Sequence, residues 1–222
     1  LHLVLHSFPT RRSSDLRSTA GVLIRALPLL CCPWCGRQLT IRSGEFSYKY
    51  VTSGELVCPC GYCAHIQDGI VNTGKAYTGT HDSPDLNRNL YHTLNVDFVR
   101  MYQLCCNKIT HWIASGQFAG KVIFENFING YFYLYNHLAD LPKDALYIVA
   151  DKYPEMLQMY KEMISTLGLD LDILYIADCD PDYPLRPGCV DLVIDFFSSS
   201  EHDFYFPQPY YEAFGALLAP DA

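Results

Sequence analysis

Positive charge is scarce in this chain: 16 Lys and Arg stand against 24 Asp and Glu, for a formal net charge of −8 over 222 residues. Nucleic-acid binders usually carry a basic face and a high isoelectric point, and the value here is about 5.4, which counts against a large RNA footprint but not against a local basic patch. Long apolar runs are also lacking. No stretch approaches the roughly 20 residues that a membrane span needs, and the best candidate, 21–30, is broken by Arg25. The same stretch has no small-residue cleavage site of the secretory kind, so no membrane partner is expected. Charged residues make up only 18% of the chain and hydrophobic ones 50%, a globular balance that argues against disorder. The length allows one ordinary domain with a small satellite.

Cysteine breaks this pattern of scarcity, with ten residues unevenly spread. Cys31, Cys32, Cys35, Cys58, Cys60 and Cys63 fall early, and Cys105, Cys106, Cys179 and Cys189 are scattered later. Paired cysteines followed by glycine, without a secretory signal, favour metal binding in a reducing compartment over disulfides, hence a cytoplasmic protein. The later four read as small buried hydrophobes.

Four regions follow from composition and periodicity. Residues 1–16 look foreign: 7–16 resembles the translation of a sequencing-adapter oligonucleotide, and no part in the fold is expected of it. Residues 30–73 form a Cys/Gly-rich unit with short β-prone runs at 39–41 and 46–51, separated by a turn at Ser43-Gly44. Residues 74–120 form a helical linker. Ser83-Pro84-Asp85 has the form of a helix start. Phe98, Tyr102, Cys105, Ile109 and Trp112 recur at helical spacing over 96–114. From 121 to 222 apolar strands at 122–124, 146–150, 173–177 and 190–194 alternate with helices at 131–141, 154–167 and 209–218. Near-continuous apolar strands between helices predict an α/β fold with a parallel sheet covered on both faces, a doubly wound half.

Cys32-Pro33-Trp34-Cys35-Gly36 and Cys58-Pro59-Cys60-Gly61 supply two knuckles. Zinc takes four soft ligands tetrahedrally, and each knuckle offers two thiolates on one tight turn. The following glycine lets the backbone take positive φ as its amide nears sulfur. Two such turns would hold a zinc ribbon too small for a core of its own. The second pair is one residue short, and Cys60 with Cys63 has the usual spacing. Cys58 and Cys60 are preferred because Gly61 follows Cys60 as Gly36 follows Cys35, while the choice between Cys58 and Cys63 stays open. His65 reads as a strand residue.

Cys60-Gly61-Tyr62-Cys63-Ala64-His65-Ile66-Gln67-Asp68-Gly69-Ile70 resembles the end of zinc ribbons fused to, or partnering, methyltransferases, including ribosomal RNA guanine methyltransferases. The region from Val122 onward resembles class I S-adenosylmethionine-dependent methyltransferases. It has Glu125 after the first strand, Gly130 in the following turn, and Asp151-Lys152-Tyr153-Pro154-Glu155-Met156-Leu157 after the second. Asp178 follows the third strand, with Tyr183-Pro184-Leu185 beyond it, and Val190-Asp191-Leu192-Val193-Ile194 forms the fourth. That resemblance implies an incomplete Rossmann-like sheet, S-adenosylmethionine as cofactor, Asp151 on the ribose hydroxyls, Asp178 near the adenine, and Glu125 and Gly130 at the cofactor turn. It also implies further strands past Ala222, where the chain stops. The spacing of Asp151 from the turn is that of a βαβ unit.

The turn Phe127-Ile128-Asn129-Gly130 holds one glycine where the family has several, and a bulky Phe127 would crowd a cofactor there. No catalytic base is evident, in keeping with a methyl transfer governed by alignment. Tyr91, His92, Arg100, Phe196, Phe197, His202 and Tyr205 are the substrate-side candidates. The expected activity is methyl transfer to a small molecule, favoured by acidity, or to ribosomal RNA, favoured by the ribbon. The alternatives are a non-catalytic binding domain with a degenerate cofactor turn, and a nicotinamide-binding oxidoreductase, which the same carboxylate would suit.

Overall fold

The computed structural model describes residues 21–75, 95–126, 133–169, 171–178, 182–196, 210–220 and 222. Among these residues nine strands form one sheet in the order β1-β3-β4-β5-β8-β7-β6-β9, with β2 paired to β3. The strands are β1 Val22–Leu23, β2 Thr40–Ser47, β3 Tyr50–Val57, β4 Cys63–Gln67, β5 Ile70–Asn72, β6 Val122–Asn126, β7 Leu146–Asp151, β8 Asp172–Ala177 and β9 Leu192–Asp195. Pairing from β1 to β5 is antiparallel. From β5 through β8, β7 and β6 to β9 it is parallel. The protein is therefore mixed α/β with a mostly parallel central sheet.

The cysteine-rich unit and the α/β region share this sheet, since Ile70, Val71 and Asn72 of β5 pair with Tyr175, Ile176 and Ala177 of β8. β7 is buried along its whole length, as its unbroken apolar sequence requires of a strand covered on both faces. Side chains alternate between faces. Leu146, Ile148, Ala150, Leu174 and Ile176 pack with Leu30, Tyr62, Tyr183, Phe214 and Leu217 on one side. Tyr147, Val149, Ile173, Tyr175 and Ala177 pack on the other with residues from three helices: α1 Val96–Trp112, α2 Tyr133–Asn136 and α3 Pro154–Thr166. A fourth, α4 Tyr210–Leu217, contributes Phe214 and Leu217 to the first side.

Local chemistry explains the boundaries. Asn95 caps α1, its side chain accepting from the Asp97 amide at 2.7 Å. Proline occupies the first turn of α3, and Gly168 beyond its end has φ of +64°. Asp68 and Gly69, both at positive φ, form the two-residue turn between the paired Gln67 and Ile70, the geometry that Asp-Gly favours.

Several expectations differ from what is found. Ser43-Gly44 is no turn: it sits inside β2, where the pairing shifts between Arg42 and Glu45, and the chain reverses instead at Tyr48-Lys49 between paired Ser47 and Tyr50. The buried stripe of α1 runs through Tyr102 and Cys106, continued by Ile113 just past its end, while Cys105 and Trp112 are exposed. The four-residue spacing 98-102-106 keeps to one face, and Cys105 lies a step round from it. Cys106 and Cys189 are buried as expected. The helix expected at 131–141 is a single turn within the described residues, Tyr133–Asn136. The adapter-like 1–16, the helix start at 83–85, and Cys179 lie outside the described residues. Among the described residues no helix is long and apolar enough to cross a membrane.

Candidate functional site

The sulfurs of Cys32, Cys35, Cys58 and Cys60 all lie within 4.8 Å of one another. Cys32 and Cys60 Sγ are 3.4 Å apart, as are Cys35 and Cys58 Sγ. Four thiolates around a tetrahedral zinc, each at about 2.3 Å, would stand roughly 3.8 Å apart. The spacing fits, and the four cysteines could hold a metal ion, with chemistry compatible with zinc.

Each knuckle is built by backbone hydrogen bonds. Cys31 bridges to Gln38, Cys32 N–H donates to the Arg37 carbonyl at 2.8 Å, and Gly36 N–H returns to the Cys32 carbonyl at 2.8 Å. The shorter second knuckle closes one residue earlier, with Gly61 N–H on the Cys58 carbonyl at 3.0 Å, so a Cys-x-Cys spacing suffices. Gly36 and Gly61 take φ of +70° and +100°, which a side chain would resist. The amides that reach sulfur are not the glycines' own: Trp34 and Cys35 donate to Cys32, and Tyr62 donates to Cys60. The Tyr62 amide is the first cause that lowers the Cys60 thiol to about 7. Trp34 and Tyr62 meet edge to face at 5.3 Å, joining the two knuckles. Cys63 lies elsewhere, grouped with Glu55 and His65, and Glu55 is also paired to Arg42 at 2.7 Å.

The second group of candidates lies at the carboxyl ends of the parallel strands, where α/β folds bind ligands. Asn126 ends β6, Asp151 ends β7, Asp178 follows β8 and Asp195 ends β9. Asn126 pairs with both Ala150 and Asp195, and Asp151 with Ala177, so the four polar residues share one edge. Asp151 and Asp178 are each 1% exposed. One Asp151 carboxylate oxygen accepts from the Tyr153 amide at 2.7 Å, and the Asp178 amide donates to the Asp151 carbonyl at 3.1 Å.

Glu125 is placed differently. It lies one residue inside β6, fully buried, and its two oxygens accept from the amides of Tyr133 at 2.5 Å and Leu134 at 2.9 Å, the first residues of α2. Burial pushes its carboxyl up to about 8, against the pull of the Leu134 and Tyr133 amides. Its role in the described structure is to anchor that helix to the sheet. Gly130 and Phe127 lie outside the described residues, as do Tyr91, His92, Phe197, His202 and Tyr205. Arg100 is exposed beside Asp97, and Phe196 packs edge to face on Tyr102 at 4.7 Å.

Two residues that bear on this edge, Asn126 and Tyr62, carry no spacing signal in the sequence. Asn126 is buried and accepts from the Tyr183 hydroxyl, and Tyr183 in turn packs on Phe124 and Phe214. Tyr62 is buried beside the cysteine cluster, in one core with the sheet, and burial first, then the charges of Asp178 and Cys32, raises its phenol so that it keeps its proton. A groove of about 520 Å³ lies apart from this edge, between α3 and β5, lined by Asp68, Glu155, Gln158, Met159 and Glu162 among others.

No protein-family model matches the chain, and no curated protein sequence matches it.

Proposed function

We propose that the protein is a class I S-adenosylmethionine-dependent methyltransferase with a structural zinc site, acting on a small molecule or on ribosomal RNA. The observation that carries this reading is the pair of buried carboxylates, Asp151 and Asp178, at the carboxyl ends of adjacent parallel strands. Strand order adds support. Counting from β6, the parallel strands lie third-second-first-fourth, as in the doubly wound dinucleotide-binding sheet. On this reading the sheet is Rossmann-like, with Asp151 holding the ribose hydroxyls and Asp178 the adenine, while the cofactor supplies an electrophilic methyl group. The chain's own contribution is to bind and align, which suits a site without an evident base.

Four thiolates would fill the coordination sphere of zinc and leave no open position for substrate, so its role is structural. Cysteines gathered as metal ligands and not paired as disulfides suit a reducing compartment, and on this reading the protein works in the cytoplasm.

The rival reading, a non-catalytic methyltransferase-like binding domain whose degenerate turn no longer holds the cofactor, is favoured by Glu125, whose carboxylate is already engaged by the α2 amides. Isothermal titration with S-adenosylmethionine decides between them. Wild-type binding that Asp151→Ala weakens about ten- to a hundred-fold supports the enzyme, since a charge-assisted contact contributes about 1.5–3 kcal/mol. No binding at millimolar cofactor would favour the rival.

A further inference from the structure

The sheet register carries the metal unit past the edge that holds the two aspartates. His65 of β4 pairs with Asn72 of β5, which pairs with Ala177 of β8. β4 runs opposite to β5 and β8, so each step back from His65 is a step forward beyond Ala177. The ladder continues through Cys63, opposite Val57, to Tyr62, whose carbonyl accepts from Cys58 N–H at 2.9 Å. Tyr62 therefore stands beyond the end of β8, on the side where Asp178 emerges, and the Cys58–Cys60 knuckle overhangs the same edge. The first knuckle is tied there too. Cys31 N–H donates to the Pro184 carbonyl at 3.0 Å, and Arg186 N–H to the Leu29 carbonyl at 2.7 Å, flanking a bridge between Leu30 and Leu185.

Within this wall one polar atom is unmatched. Tyr62 is 3% exposed, and its hydroxyl has no hydrogen-bond partner among the described residues. Buried hydroxyls are almost always paired, and an exception calls for a partner such as a ligand or a bound water. Asp178, also buried, continues the alternation of Leu174 and Ile176 on β8, the face that shares one core with Tyr62.

We propose that Tyr62 is a ligand-binding residue, its hydroxyl donating to an acceptor of the molecule held at the Asp178 edge, so that the metal unit forms one wall of that site. A hydroxyl donor beside a carboxylate acceptor complements a group that offers an acceptor next to a donor. The N7 and amino edge of adenine is such a group. The inference rests on the reading of this edge as an adenosine-cofactor site and adds a contact from outside the α/β strands. It also gives the metal unit a second purpose besides holding its own fold.

The test compares wild type with Tyr62→Phe, which keeps the ring and its packing on Trp34. Three quantities are measured: affinity for S-adenosylmethionine and for adenosine alone by titration calorimetry, the melting temperature without ligand, and the metal content. The expected result is a roughly five- to tenfold weaker affinity for both ligands. Metal content stays unchanged, and the unliganded melting temperature stays equal or rises, because the variant removes an unmatched buried group. Equal affinities in the two proteins overturn the proposal while leaving the cofactor reading intact. A lower melting temperature for Tyr62→Phe also overturns it, showing that the hydroxyl is held by a structural partner such as water. If wild type binds neither ligand, the cofactor reading falls first and the adenine contact falls with it.

Discussion

At the scale of single residues, proximity in sequence and proximity in space part company most clearly among the cysteines. Cys60 and Cys63 have the spacing usual for a knuckle, yet the sulfur that joins Cys32, Cys35 and Cys60 is that of Cys58. Cys63 is already part of β4, whose extended backbone directs its side chain toward Glu55 and His65. Cys58→Ser is therefore expected to lose the bound metal and Cys63→Ser to retain it, as measured by metal analysis of the purified proteins. Retention by the first and loss by the second would reverse the assignment. The doubled Cys/Gly pattern made three of these four clustered cysteines plain from the sequence. The fourth was ambiguous because it depends on where the strand begins.

Glu125 carries a second residue-scale expectation. Its folded carboxyl is raised to about 8 by burial, so the folded state keeps a proton that the unfolded chain releases near the ordinary range of about 4.3. A raised folded value contributes stability below the unfolded value and loses it as pH rises through the folded one. Stability should fall between about pH 5 and 8, by up to roughly 1.4 kcal/mol per pH unit. Glu125→Gln should flatten that slope while losing one of the two amide contacts to α2. Denaturant melts across this range check the sign, and a wild-type slope of zero would show that the two amides outweigh burial.

Elements were legible where apolar spacing alone decides them. β6, β7, β8, α1 and α3 all lie close to their expected places because a strand covered on both faces and an amphipathic helix each have their own period. Irregular backbone was harder to read. The shift inside β2 depends on Gly54 of the facing strand, at φ of +151°, where an added Cβ would lie 2.9 Å from Gly44 Cα. Neither glycine announces that pairing in sequence. The Asp68-Gly69 turn shows the same dependence more sharply. Gly69 has φ of +73°, and a Cβ there would fall 2.6 Å from the Gly21 backbone nitrogen and 2.8 Å from Lys161 Nζ. Lys161, on α3, donates to the Asp68 carbonyl in the same place. Gly69→Ala combines an unfavourable φ with a clash against backbone, and should destabilise by about 1–3 kcal/mol or more. A urea midpoint unchanged from wild type would show that the turn can relax away from β1.

At the scale of the whole molecule, the organisation differs from a ribbon followed by a separate sheet. A small Cys-rich unit ahead of an α/β region suggests two bodies, because each has its own sequence pattern. What joins them is a three-residue strand, β5, too short to stand out as an element and paired in parallel with β8. Metal loss should then be felt beyond the cysteines. Chelation is expected to lower the melting temperature of a single cooperative transition, seen alike by far-ultraviolet circular dichroism and by the fluorescence of Trp34 beside the knuckles. Two separated transitions would mean that the metal unit unfolds on its own.

The four sulfurs do not face their surroundings alike: Cys32 and Cys58 are buried, whereas Cys35 and Cys60 are exposed. Each knuckle contributes one inward and one outward ligand, so a bound ion would be half in protein and half at the surface. Exchange of such an ion has a direction. A competing chelator or a peroxide reaches the outward pair first, because susceptibility follows thiolate character and access. The inward pair would retain the ion through the first steps of its departure. Metal release should accordingly be a stepwise process with a protein-bound, two-sulfur stage, and its rate would depend on the concentration of whatever attacks from solvent.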